Sequence, residues 1–278
     1  MRAGNESGAT RRVCENRAIA SGSRPRASGP SLQPLEVTRK IEMPKPLEAT
    51  KLRIQVSESI GEVSALLVFP RGARSLAVLA HGAGAGMSHP FMESAASELA
   101  ARRIATLRYQ FPYAEGAKRP PNARPVLLAT VRAAVAEGVR RSRGRMVVAG
   151  GKSMGGRMTS LAAADPEGLP GVGGLFFFGF PLHAPKKSGT ERAEHLDKFG
   201  LPLLFLQGTR DPLAPLDEIE PVVAKLGRRA TLHVIDGADH SFSVLKRSGR
   251  TDFEALSEAV DAFAKWIDSL DSSGPQRQ

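Results

Sequence analysis

The chain has 278 residues, 41% of them hydrophobic and 24% charged, with a formal net charge of +11. That length allows one large domain or two small ones, and a core that needs no disulfide or metal staples. No apolar run approaches the ~20 residues of a bilayer span. The single cysteine, Cys14, excludes an internal disulfide framework and a cysteine-based metal cage, and fits a reducing, cytoplasmic setting.

The positive charge is dispersed. Residues 1–42 carry eight basic groups against four acids, which leaves +7 for the remaining 236 residues, where Lys and Arg sit in scattered loops and helix ends. A nucleic-acid site needs a continuous basic track, with aromatics for single strands. Aromatics are 5% of this chain and no helix carries a basic stripe, so the charge reads as solvated surface and no nucleic-acid partner is expected.

Residues 1–45 are rich in Arg, Ser, Gly and Pro and lack hydrophobic periodicity, so they read as a disordered basic tail. The segment has no apolar core of a secretory signal; its Arg and Ser content leaves organellar targeting open. A translation start placed too early, with Met43 as an internal start, is the preferred account. A single domain is expected over residues 46–272, with 273–278 as a disordered end.

From residue 50 the pattern changes. Lys51–Val56 and Glu62–Phe69 alternate as an antiparallel hairpin around Gly61. Ser75–Ala80 is a strand, Pro90–Arg103 a helix, Ile104–Tyr109 a strand, and Pro125–Arg141 a helix with Leu127, Leu128, Val131 and Val135 on one face. Strand Arg145–Ala149, helix Met154–Ala164, strands Gly173–Phe180 and Leu203–Gln207, helix Leu216–Leu226, strand Ala230–Ile235 and helix Asp252–Leu270 complete the order. Strands alternating with helices predict an α/β fold: a mainly parallel sheet covered on both faces, with an antiparallel start. Residues 181–200 interrupt the rhythm as a polar insertion.

Two glycine-rich stretches fail as nucleotide loops. After Gly82 and Gly84 the dinucleotide fingerprint requires glycine at 87 or 89, which are Met87 and His89; before Gly151-Lys152-Ser153 a P-loop requires glycine at 146, which is Met146. No cofactor or metal is called for. Gly151-Lys152-Ser153-Met154-Gly155 does match G-x-S-x-G, with a strand running in and a helix running out, the context in which that turn exposes a nucleophilic serine.

A serine hydroxyl needs a base, and the base an orienting acid. Asp211 and His240 follow successive strands, past the carboxyl ends where open α/β sheets assemble sites, in the order Ser, Asp, His. Ser153, Asp211 and His240 are therefore the candidate triad; Asp239 reads as a loop residue and His233 as a packed or edge residue. The oxyanion of an acyl-transfer intermediate needs donors. Met154 N–H is one candidate; the small loop His81–Gly86 supplies the other, Ala83 before Gly84. The His81 side chain is expected to brace that loop, and it is also carried as a pocket candidate.

These residues make the chain resemble an α/β-hydrolase over nearly all of residues 46–270, within the dienelactone-hydrolase-like group. More narrowly it is similar to the hydrolase-like family that includes testis-expressed protein 30 and a subunit of the NSL acetyltransferase complex. The matching stretches are His81–Gly86 with His89–Met92, Arg108–Tyr113, Gly150–Met158, Gly179–His183, Glu194–Leu196 and Gln207–Asp211. Dienelactone hydrolases carry a cysteine nucleophile where this chain has Ser153, so dienelactone is not the implied substrate. The expected activity is hydrolysis of a small-molecule carboxylic ester or thioester through an acyl-enzyme; the alternative is a non-catalytic binding or scaffold protein on a hydrolase fold. In the insertion, His183 and His195, with Lys186, Lys187 and Arg192, read either as a pocket wall or as a solvated loop. Lys152 and Arg157 flank the serine and leave an acidic substrate open. Substrate identity and oligomeric state are not specified.

Overall fold

The computed structural model describes residues 48–116 and 120–272. The expected basic tail with Cys14 and Met43, and the end beyond residue 272, lie outside the described residues. Eight strands form one sheet: β1 Thr50–Ser57, β2 Gly61–Val68, β3 Ser75–Ala80, β4 Ile104–Tyr109, β5 Met146–Lys152, β6 Val172–Phe178, β7 Leu203–Gly208 and β8 Ala230–Ile235. Their spatial order is β1-β2-β4-β3-β5-β6-β7-β8. The β1–β2 and β2–β4 pairs are antiparallel and the rest parallel. Five α-helices connect them: α1 Pro90–Ala101, α2 Arg124–Arg141, α3 Met154–Ala164, α4 Leu216–Leu226 and α5 Asp252–Ser272. Among the described residues no helix is long and apolar enough to cross a membrane.

Strand side chains alternate between two cores, as the period of two requires. Leu76, Val78, Leu175, Phe177, Leu203 and Phe205 face the layer of α2, α3 and α4. Ala77, Leu79, Phe176, Phe178, Leu204 and Leu206 face α1 and α5, where Phe263 meets Phe176 edge to face and lies parallel to Phe178. The inner strands are buried on both faces, which explains their unbroken apolar runs.

The fold positions a site through its strand order. After β3 the chain turns to β4 on one side, then crosses to β5 on the other, so the loops leaving β3 and β5 diverge around a crevice at their carboxyl ends. Such a switch point is where open α/β sheets bind ligands.

Two boundaries shift from the sequence reading with consequence. The strand expected to end at Ala149 continues to Lys152, because Gly150 and Gly151 remain paired with β3 and β6; it delivers the chain to Ser153 without slack. The strand expected to end at Phe180 stops at Phe178, where Gly179 turns with φ +70°. Residues 181–200 hold a 3-10 run, Glu191–Lys198, whose Ala193, His195 and Leu196 are buried.

Candidate active site

Ser153 stands between β5 and α3 with φ 50° and ψ −117°, left-handed backbone that a side-chain-bearing residue adopts at a cost of roughly 1–3 kcal/mol. Its surroundings hold it there. Ser153 N–H donates to the Phe178 carbonyl (3.1 Å), and its carbonyl accepts from Arg157 N–H (3.1 Å). Gly155 is obligatory: a Cβ there would lie 2.5 Å from the Ala80 carbonyl oxygen and 2.6 Å from that of His81. Helix α3 therefore packs directly on the end of β3.

The imidazole beside Ser153 comes from the loop after β8. His240 Nε2 lies 2.8 Å from Ser153 Oγ, and His240 Nδ1 lies 2.7 Å from Asp211 Oδ2. Asp211, in the turn after β7, is 2% exposed. Its carboxylate also accepts from Gln207 Nε2 (2.6 Å) and from Leu213 N–H (2.8 Å). A carboxylate supplied with donors only accepts, so Nδ1 carries the imidazole proton and Nε2 is left to accept from the serine. The structure thus joins Ser153, His240 and Asp211 in one hydrogen-bonded chain. Asp239 is a loop brace: its Oδ1 accepts from Ser241 and Ser243 N–H. His233 is an edge residue, 3.3 Å from Glu258.

Three supporting residues were not foreseen. Gln207 orients Asp211 from the buried end of β7. Gly179 leaves room for the pair: a Cβ there would sit 3.2 Å from His240 Nδ1 and 3.3 Å from Asp211 Oδ2. Lys152 Nζ donates to the His240 carbonyl (2.5 Å) and lies 5.7 Å from the Phe91 and Phe242 ring centres. Desolvation pushes this lysine down to about 8, against the opposing pull of Asp211 and Asp239. A glutamine closing an apolar strand four residues before an aspartate was the one available signal; the other two contacts cross strands and leave no local pattern.

The loop after β3 faces the serine. Gly82 lies against the Lys152–Ser153 backbone, where a Cβ would be 3.5 Å from the Lys152 carbonyl oxygen. The Gly82 carbonyl is engaged by His81 Nδ1 (2.8 Å) and Tyr113 Oη (3.4 Å). Across a planar trans peptide, Ala83 N–H points the opposite way, away from that packed side. Ala83 lines the cavity beside Ser153, and Gly84 does not. Arg108 and Gln110 hold the same loop through Met87.

The cavity has a volume of about 680 Å³ and is lined by Ser153 and His240 together with apolar side chains such as Phe91, Met92, Leu127 and Met158. The three histidines expected as pocket candidates do not line it. His81 is fully buried between Phe111 and Tyr113, accepts from Phe111 N–H at Nε2 (3.1 Å), and is driven toward its neutral form by burial. His183 turns to Glu218 (3.4 Å) and lines a separate, smaller cavity. His195 bonds Ser160 Oγ through Nε2 (2.7 Å) inside the α3 packing. Of the insertion's expected wall, Arg192 does reach the cavity, beside Pro181 and Pro185.

Fold and site together define an alpha/beta hydrolase. The chain belongs to the alpha/beta hydrolase domain family, whose model matches residues 73–268. Among solved structures it is similar to a dienelactone hydrolase from Anabaena variabilis, at 20% identity over 80% of this chain and 98% of that one, with a TM-score of 0.61. It is also similar to Est1E from Butyrivibrio proteoclasticus (17% identity, 79% and 99% covered, TM-score 0.59) and to an α/β serine hydrolase without a lid from Xanthomonas campestris (18%, 79% and 96%, 0.58). At such identities the likeness carries the fold.

Proposed function

We propose that this protein is a serine hydrolase that cleaves a carboxylic ester or thioester through an acyl-enzyme. The observation that carries the reading is the Ser153–His240–Asp211 chain opening onto the cavity. Ser153 Oγ attacks the carbonyl carbon while His240 Nε2 takes its proton; His240 then gives that proton to the departing alcohol or thiol. Water, deprotonated by the same nitrogen, hydrolyses the acyl-serine. Asp211 holds the imidazole in its Nδ1–H tautomer and stabilises the imidazolium. The N–H groups of Met154, at the unpaired start of α3, and of Ala83 receive the oxyanion.

The finer resemblance, to the family of testis-expressed protein 30 and the NSL-complex subunit, is part of this proposal. Its support is that the motif stretches have work to do here: Arg108 and Gln110 anchor the β3 loop, and Gln207 anchors Asp211. The dienelactone hydrolase and serine hydrolase neighbours support the reaction class by analogy. A fluorophosphonate probe is expected to label the wild type at Ser153 and to leave Ser153→Ala unlabelled. Equal labelling of both would overturn the assignment, and a partner captured equally by both with no turnover across an ester panel would favour the scaffold reading.

A further inference from the structure

One wall of the Ser153 cavity is cationic. Arg124 opens α2, Arg157 stands one turn into α3, and Arg192 comes from the 181–200 insertion; all three line the cavity, and among the described residues no Asp or Glu lines it. Among the other part-buried arginines, Arg102 pairs with Glu98 and Asp261 and Arg132 with Asp165, while Arg108, Arg145 and Arg229 bond backbone carbonyls away from this cavity. Among the described residues none of the three cavity arginines has a carboxylate within ion-pair distance. Arg157 Nε is buried without a hydrogen-bond partner. Arg192 spends one nitrogen on the His183 carbonyl (2.8 Å). Lys152 also lines the cavity, with its ammonium bonded to the His240 carbonyl.

The three charges feel one another. Arg157 is pushed down to about 10, first by desolvation and then by Arg192 and Arg124. His195, behind the wall, is pushed down to about 4 by burial and then by Arg157, Lys198 and Arg124. Like charges gathered in a partly apolar cleft raise the local potential for an anion, and guanidinium forks match the oxygens of carboxylate or phosphate. Arg157 N–H donates to the Ser153 carbonyl (3.1 Å), and both residues line the cavity.

We propose that this arginine wall is an anion subsite, and that the substrate is an ester or thioester carrying a carboxylate or phosphate several bonds from the scissile carbonyl. The inference rests on the hydrolase reading of Ser153 and names the substrate class of that site.

The test compares kcat/KM for mono-p-nitrophenyl glutarate with p-nitrophenyl pentanoate, and for 4-acetoxyphenyl phosphate with phenyl acetate. The charged member of at least one pair is expected to win by about tenfold or more at low salt, with the preference shrinking as salt rises; the larger ratio tells carboxylate from phosphate. Arg157→Gln is expected to lower the charged-to-neutral ratio about tenfold, mainly through KM. Arg124→Gln, at an exposed helix start, does the same in a variant whose folding is not at risk. Glutarate and inorganic phosphate titrated into Ser153→Ala give a readout without turnover: at least one binds, and the arginine variants weaken it. Equal kcat/KM within both pairs, with fluorophosphonate labelling intact, overturns the subsite and leaves the hydrolase. Loss of labelling overturns the hydrolase reading, and the titrations then decide the subsite alone: binding weakened by the arginine variants upholds it, and no binding overturns it.

Discussion

Two serine–histidine pairs lie seven residues apart in the serine positions, and they differ in everything except the bond. Ser153 and His240 meet at 2.8 Å, Ser160 and His195 at 2.7 Å. Ser153 occupies a left-handed turn at the cavity; Ser160 is helical, fully buried, and already bonded to the Arg157 carbonyl. His240 has a buried carboxylate behind it, whereas His195 is surrounded mainly by cations. A short O···N distance is common to both, so the bond itself confers no reactivity. What separates the pairs is access, a backbone that presents the hydroxyl, and an acid that lets the imidazole accept a proton.

The sharpest way to break that comparison is to remove each serine. Ser153→Ala is expected to reduce ester turnover by about 10⁴-fold or more, and Ser160→Ala to leave kcat within about threefold. Ser160→Ala should instead cost about 1–3 kcal/mol of stability by stranding a buried His195 nitrogen, read from denaturant midpoints. If Ser160→Ala were the inactive variant, the assignment of the pairs would be reversed. Removing the acid comes next: Asp211→Asn is expected to keep the fold and lower kcat by about 10⁴-fold, because the amide stabilises the wrong imidazole tautomer.

A smaller effect comes from Gly179. A methyl group there meets both His240 and Asp211 and sits on a positive φ, so Gly179→Ala should destabilise by about 1–2 kcal/mol and slow turnover without changing probe specificity. Melting curves and single-turnover rates check this together. The last effect, on stability alone and not on turnover, is on the silent pair. His195 binds its proton only near pH 4 when folded, against about 6.5 when unfolded. Between those values the unfolded chain takes up the extra proton, so stability falls as pH drops from about 6.5 toward 4. His195→Gln should flatten that fall in a pH series of melting temperatures.

The difference between the pairs also shows which parts of the site were legible in sequence. Ser153 announced itself through a local signal, a strand and a helix meeting at small residues, and Asp211 and His240 through their places after successive strands. The layered α/β fold followed from alternating periodicities, and it is the architecture observed. Chain-local patterns carried no record of contacts between distant segments. Gly179 reads as an ordinary strand-end glycine until His240, 61 positions later, is placed against it. The histidines of the insertion were open to two readings, a pocket wall or a solvated loop. The 3-10 run turned His195 inward onto Ser160, and His183, ahead of that run, faces Glu218. Arg157 carried no sign of its two arginine neighbours, which come from α2 and from the insertion.

The bond from Lys152 to the His240 carbonyl has a consequence for motion. It fastens the last residue of β5 to the loop that carries His240, beside the bond from His240 to Ser153. Such a strut makes the segments open as one cooperative unit. In hydrogen–deuterium exchange, amides of residues 237–243 are expected to exchange together with those around Ser153 in the wild type. In Lys152→Met the loop should open earlier, by itself, while the amides of β5 keep their protection. The lysine beside the serine would then act as a latch that keeps nucleophile and base in register between turnovers.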